Sequence, residues 1–340
     1  GLRLSGYSLT TMQAPHGIVS TWALQRLLPD EMGLERRFAR KLARAVGGHH
    51  GAWPAPYATD GLSDDAEWAG VRARLFAEVR AVFAPVAAGV PPAAAMSAFL
   101  AWFSGFVSVA DWLGSIDDYE GEAFFPFEDG AVPAAVYAQR AAAQAEHALW
   151  RLGWLGWRAQ GHQATFGEMF PEIEQPRPVQ EAVIAAGSVM PPALLILEAP
   201  TGIGKTEAAL YLADTWLQAG GGGGLYVAMP TMATSNQMFG RTRRFLAGRY
   251  PDVLVNLHLL HSQAAWDGPL GALRLSSIED EKDRATGQGR VAAMAWFNQQ
   301  RKRALLAPFG VGTVDQLLLA VLQTKHFFVR LFGLAHKVIV

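Results

Sequence analysis

One stretch constrains the fold of this chain more than any other: "LLILEAPTGIGKTEAALYLA", residues 194–213. An apolar run ends at Glu198, a turn from Ala199 to Gly204 follows, and Lys205-Thr206 opens a helix-like pattern. The spacing predicts a buried strand, a phosphate-gripping turn and a helix. Glycine lets backbone N–H groups close around phosphate oxygens, and a helix N-terminus adds its dipole to the same anion. In this reading Thr201, Gly202 and Gly204 shape the cradle for ATP. Lys205 reaches the β- and γ-phosphates, and the Thr206 hydroxyl ligates Mg²⁺. A chance Gly-Lys-Thr turn is the plainer alternative, and the strand before and helix after argue against it.

Such a loop requires a parallel sheet clothed by helices, and the second half of the chain supplies one. "GLYVAMP", "DVLVNLHLL", "ALLAPFGVGT" and "HKVIV" read as further short strands separated by helical runs. "SSIEDEKDRATGQGR" reads as an exposed polar loop. The first half is different. "HGIVSTWALQRLLP", "LERRFARKLARAVGG", "DDAEWAGVRARLFAEVRAVFAPV" and "VPAAVYAQRAAAQAEHALWRL" carry helical periodicity, with no strand alternation before about residue 190. The expected architecture is multidomain: an all-α domain over residues 1–158, then an α/β parallel-sheet lobe over 159–340.

Composition removes some function classes. The chain has no cysteine, which excludes disulfides and thiolate metal sites and fits a cytoplasmic setting. The formal net charge is −1, so nucleic-acid binding has to come from local surfaces. The N-terminus shows no signal-peptide pattern. The apolar run at 93–112 is long enough to suggest a membrane span, but no Lys or Arg flanks it closely, and a buried helix is the better reading. No membrane partner is expected.

Three further motifs surround the phosphate loop. "FPEIEQPRPVQ" resembles the helicase Q motif, which would set Gln180 to read an adenine edge; a Pro-rich linker with a solvated Gln is the plainer alternative. "MPTMATSNQMFGR" offers Thr231, Thr234, Asn236 and Gln237, and "VGTVDQLLLAVL" offers Gly312 and Thr313. Both stretches resemble elements of superfamily 2 helicases that hold single-stranded DNA by its phosphates. In the helical half, "GGHHG" sets His49 beside His50. The pair alone leaves open whether it binds metal or lies in a solvated loop.

The order of these features closely resembles the HD nuclease–helicase of type I CRISPR systems. "GGHHG", "FVSVADWLGS", "FPEIEQPRPVQ", "EAPTGIGKTEAAL", "MPTMATSNQMF" and "VGTVDQLLLAVLQTKHFFVRLFGLAHKVIV" carry the resemblance over nearly the whole chain. It implies an all-α HD-type domain followed by a RecA-like helicase lobe. It also implies that His16, His49, His50 and Asp111 ligate divalent metal, with Asp111 and Lys205 in catalytic roles. Imidazole and carboxylate ligands suit Fe, Mn, Co or Ni. The implied partners are single-stranded DNA and the Cascade surveillance complex with its guide RNA. The implied activity is ATP-dependent translocation with metal-dependent cutting of foreign DNA. In the family a His-Asp-x-x-Lys segment precedes "GYSLTTMQAPH", and Asp-Glu-x-His, the Walker B element, follows "HKVIV". The chain therefore reads as an internal fragment, for which no ATP turnover and little nuclease activity are expected. The alternatives are another superfamily 2 helicase with a helical accessory domain, or a non-catalytic module that binds DNA or Cascade.

Overall fold

The computed structural model describes residues 14–63, 66–85, 89–126, 132–159, 161–189, 191–260, 290–298 and 301–340. Residues 276–289 of the expected polar loop and the first residues of the chain lie outside them. The chain divides into two compact units, Gly1–Ala143 and Gln144–Val340.

The named elements of the first unit are helices: α1 (His16–Met32), α2 (Arg36–Gly47), α3 (Ala66–Phe83), α4 (Met96–Gly114) and most of α5 (Ala134–Arg151). Local chemistry sets the α1–α2 hairpin. Gly33 takes a left-handed φ of 68° after α1, and the N–H groups of Gly33 and Leu34 return to the Pro29 and Leu28 carbonyls, a glycine-closed helix end. Glu35 then caps α2: its carboxylate accepts from the N–H groups of Arg37 at 2.7 Å and Phe38 at 2.8 Å. Those two bonds favour the ionised form and hold the Glu35 carboxyl below its usual range. Helix α4 is the apolar run, long and apolar enough to cross a membrane by composition. One side of it is buried through Leu100, Ala101, Ser104, Gly105, Ser108 and Val109.

The end of α5 belongs to the second unit, so the division falls ahead of the expected boundary at 158/159. The reason is packing. Trp154 meets Trp296 and Phe297, Trp157 lies edge-on to Phe309 at 4.9 Å, and the Asn256 side chain donates to the Gly153 carbonyl. After these come α6 (Phe166–Met169), α7 (Pro178–Ala186) and α8 (Lys205–Trp216). The remaining labelled elements are β1 (Gly224–Met229), α9 (Met232–Arg249), β2 (Leu254–Leu260), β3 (Arg290–Ala292), β4 (Phe309–Thr313) and β5 (Lys337–Ile339).

The strands form one sheet in the order β3-β2-β4-β1-β5, every pair parallel. Its core includes Phe166, Phe170, Leu225, Phe239, Leu257, Phe309 and Val311. Fully burying side chains of this size contributes about 1.5–3 kcal/mol each.

The four strands expected after the phosphate loop are present. The buried strand expected before it is not. Residues 193–199 have no assigned secondary structure. Leu195 and Leu197 pack against Val183, Ala208, Leu212 and Trp216, while Leu194 and Ile196 are 86% and 83% exposed. The alternation of a strand is kept, but among the described residues no neighbour supplies a ladder. The edge strand β5 pairs with β1 over three residues only.

Candidate functional site: a histidine cluster and a phosphate-loop pocket

In the first unit, α1 and α2 cross closely because both carry glycine at the crossing. A Cβ on Gly17 would lie 2.4 Å from the Gly47 carbonyl oxygen, and one on Gly47 would lie 1.9 Å from Thr21 Oγ1. Ala39 and Ala43 continue the small, fully buried side of α2 that ends at Gly47. This crossing brings His16, the first residue of α1, to the turn after α2, which holds His49 and His50. His16 Nε2 is 2.9 Å from His49 Nε2 and 2.8 Å from His50 Nε2.

Helix α4 braces the turn from below. Ser108 Oγ donates to the His49 carbonyl at 3.0 Å, Ser104 Oγ donates to the Ala45 carbonyl, and Trp53 Nε1 donates to Ser104 Oγ at 2.7 Å. His49 is buried, and its Nδ1 lies 2.8 Å from the Val46 carbonyl. A carbonyl there makes Nδ1 the donor and leaves Nε2 with its lone pair, the arrangement typical of a metal-ligating imidazole. The chemistry of the three converging nitrogens fits a divalent ion: the ligand atoms of these histidines all lie within 4.8 Å of one another. Asp111 stands outside that group. It is exposed, but it follows Ser108 by three residues and so shares that side of α4.

In the second unit, Gly202 and Gly204 take φ of 81° and 91°, and Lys205 starts α8. The expected nucleotide residues converge. Gln180, Thr201, Gly202, Gly204, Lys205 and Thr206 line one cavity of about 420 Å³. Gln180 is fully buried; its amide oxygen accepts from the Arg177 N–H at 2.9 Å, and its amide nitrogen donates to the Gly204 carbonyl at 3.3 Å. A Cβ on Gly204 would come within 2.2 Å of that nitrogen. The Lys205 ammonium donates to the carbonyls of Ala199 and Pro200.

Two residues here carried no signal of their own in the sequence. Arg177 donates to the Gly202 carbonyl. Arg241, from α9, donates to Thr206 Oγ1 at 3.0 Å and pairs with Glu207. Both lie inside quoted motifs, "QPRPVQ" and "NQMFGR", and their distance in sequence from the loop hid the contact.

The expected DNA elements follow the carboxyl-terminal edge of the sheet, at the ends of its interior strands β1 and β4. Met229 pairs with Thr313 across β1 and β4, so the segments following these parallel strands leave together, where ligands collect in open α/β sheets. Thr231 caps α9, and its hydroxyl lies 2.9 Å from that of Thr234. Asn236 and Gln237 are exposed on the first turns of α9. Gly312 and Thr313 are buried: Gly312 lies where a Cβ would meet the Leu260 carbonyl at 2.4 Å, and the Thr313 carbonyl accepts the Tyr226 hydroxyl. Their place in the structure is sheet packing beneath that edge.

Fold and sites together define a class: a helical HD-type domain with a histidine cluster, chained to a phosphate-loop α/β lobe. Residues 2–120 match the family model described as Cas3, HD domain. The chain is 40% identical to a CRISPR-associated endonuclease/helicase Cas3 of Thermus thermophilus, over 96% of its own length and 35% of the relative's. The crystal structure of T. fusca Cas3-ATP aligns over 99% of this chain and 37% of that one, with a TM-score of 0.79 and 31% identity. A chain of a CRISPR RNA-guided surveillance complex, pre-nicking, aligns over 99% of this chain and 33% of that one, with a TM-score of 0.58 and 27% identity. The chain belongs to the Cas3 family of HD nuclease/helicases and spans about a third of the length of these relatives.

Proposed function

We propose that this chain supplies the metal-dependent DNA-cutting centre and the ATP-binding lobe of a single-stranded DNA translocase acting in CRISPR interference. The observation that carries the reading is the convergence of three imidazole Nε2 atoms, with the Nδ1 of His49 anchored on a backbone carbonyl. His16, His49 and His50 would hold a divalent Fe, Mn, Co or Ni ion, with Asp111 from the same side of α4. Such an ion supplies Lewis acidity toward a DNA phosphodiester. The residues themselves fix its place: Val46 sets the tautomer of His49, and Ser108 holds the turn.

In the lobe, Lys205 and Thr206 handle the phosphates and Mg²⁺ of ATP. Gln180, whose amide is held between Arg177 and Gly204, reads the adenine. Thr231, Thr234, Asn236 and Gln237 contact the strand, and the buried Gly312 and Thr313 hold the backbone beneath them. The same reading makes the protein cytoplasmic and a partner of the Cascade surveillance complex with its guide RNA. Its support is the likeness to a chain of a surveillance complex.

Calorimetric titration with Mn²⁺ tests the centre. Binding is expected in the wild type and in His162→Ala, whose exposed histidine lies elsewhere. It is expected to vanish in His49→Ala and His50→Ala, with circular dichroism unchanged. The exposed His50 guards against a mere folding defect. Undiminished Mn²⁺ binding in both cluster variants sinks the proposal.

A further inference from the structure

On the helical unit, α1, α2 and the segment 55–60 enclose a second cavity, of about 490 Å³. Its wall carries Arg26 from α1 and Arg36, Arg40, Lys41 and Arg44 from α2, against one carboxylate among the described residues, Asp60. The whole chain is close to neutral, so this is a local concentration of charge, and α2 has no acidic residue along its length. Little of it is neutralised. Arg36 meets Asp30 at 3.6 Å with both side chains mostly exposed, a pair of small worth. Arg44 donates to the Pro54 carbonyl, and Arg26 lies over the Trp22 ring at 4.0 Å; neither contact is with a carboxylate. Among the described residues no carboxylate lies within ion-pair distance of Arg40 or Lys41.

The spacing is informative. Arg36, Arg40 and Arg44 follow one another at four-residue intervals, so they share a face of α2 about 6 Å apart. That is the scale separating neighbouring phosphates on an extended single strand. Guanidinium forks match phosphate oxygens in a bidentate way. The row climbs α2 toward its C-terminal end, where the turn with His49 and His50 begins. The other wall leads to the same place. Thr21 lines the cavity and donates to the Gly17 carbonyl at 2.9 Å, and a Cβ on Gly17 would lie 3.7 Å from the His49 ring. Among the described residues no aromatic side chain lines the cavity, so they offer nothing on which a base would stack.

We propose that this cavity is a phosphate-backbone subsite: it takes successive phosphates of a single DNA strand, without reading bases, and delivers the strand to the His16–His49–His50 cluster. It rests on the reading of that cluster as a DNA-cutting centre. An acidic protein surface is the competing occupant. The linear row of forks and the adjacency to the histidines favour the strand.

The test is fluorescence anisotropy of a labelled oligothymidine and its abasic equivalent, on the wild-type chain over a range of salt. Arg40→Glu is compared with Arg37→Glu, the same charge reversal on an exposed α2 residue outside the cavity. Arg40→Glu is expected to weaken binding of both strands about tenfold and to flatten the log–log salt slope by about 0.7 for each phosphate that is no longer neutralised. Arg37→Glu should change affinity less than twofold. Strands bearing 4-thiothymidine should crosslink under ultraviolet light to peptides from residues 21–60. Equal weakening in both variants, unchanged affinity in Arg40→Glu, or no crosslink there would overturn the subsite. So would Arg40-dependent binding of poly-glutamate with DNA binding intact. Mn²⁺ titration separates the two readings. If Mn²⁺ binds at the histidines while Arg40→Glu is silent, only the subsite falls. If Mn²⁺ does not bind but DNA binding still depends on Arg40, only the cutting centre falls.

Discussion

The two nitrogens of His49 divide the work of the site: Nδ1 faces the Val46 carbonyl and Nε2 faces His16. That geometry depends on residues with no side chain at all. Gly17 and Gly47 let α1 and α2 approach until the backbone of each fills the space a Cβ would need. Gly47→Ala therefore forces the helices apart. Overpacking of this kind costs about 1–3 kcal/mol, and the same movement separates His16 from His49. Chemical denaturation should show that drop in stability, and Mn²⁺ affinity should fall with it even though every histidine remains. An unshifted midpoint and unchanged affinity would mean the crossing tolerates a methyl group. Much of this site was legible in the sequence. "GGHHG" flagged the pair and the family resemblance added His16, and these three imidazoles converge; Asp111, which the resemblance also added, stands outside the cluster. The glycines, the buried alanines and the Ser104–Ser108 brace were not legible. Small residues carry no chemistry of their own, and their meaning appears only when two helices are placed against each other.

Among the elements, α8 and α9 are joined by a buried polar knot. Arg249 Nε donates to Asp214 Oδ2 at 3.0 Å, with Asp214 almost fully buried, and the Tyr250 hydroxyl donates to its other oxygen. Burial, reinforced by the Asp214 charge, pushes the Tyr250 phenol far above its usual range and keeps it a donor. Asp214→Ala takes the counter-charge from the Arg249 guanidinium, which keeps its bond to the His162 carbonyl, and the acceptor from the Tyr250 hydroxyl, whose oxygen still accepts from Gln218. Removing one partner of a buried pair costs about 3–5 kcal/mol, and urea unfolding is the measurement. A change under about 1 kcal/mol would show that water replaces the carboxylate. The knot was invisible in sequence because Asp214 and Arg249 look like ordinary helix-surface charges. Strands were easier: β1, β2, β4 and β5 announce themselves as short apolar runs between helical stretches. The run before the phosphate loop looked the same. It failed to become a ladder strand because apolarity specifies burial, whereas a ladder also requires a neighbouring edge. The three-residue β3 is too short to show any alternation.

At the scale of the molecule, the proposed function assigns a different ligand to each of the two compact units. The histidine cluster lies wholly in the first unit and the phosphate loop wholly in the second. A ligand that binds only the folded state stabilises the unit holding it, by about 2.7 kcal/mol at a hundredfold excess over its dissociation constant. For units of this size each kcal/mol moves the midpoint by about 2–4 °C. Scanning calorimetry should therefore resolve two transitions. Mn²⁺ should raise one, and Mg²⁺ with ADP should raise the other. His50→Ala should cancel the first shift and spare the second, while Lys205→Ala should do the reverse, because the ammonium proposed to reach the phosphates is gone. A single transition that rises equally with either ligand would show that the units unfold as one cooperative block. A Lys205→Ala chain that still responds fully to ADP would remove the phosphate loop from nucleotide binding.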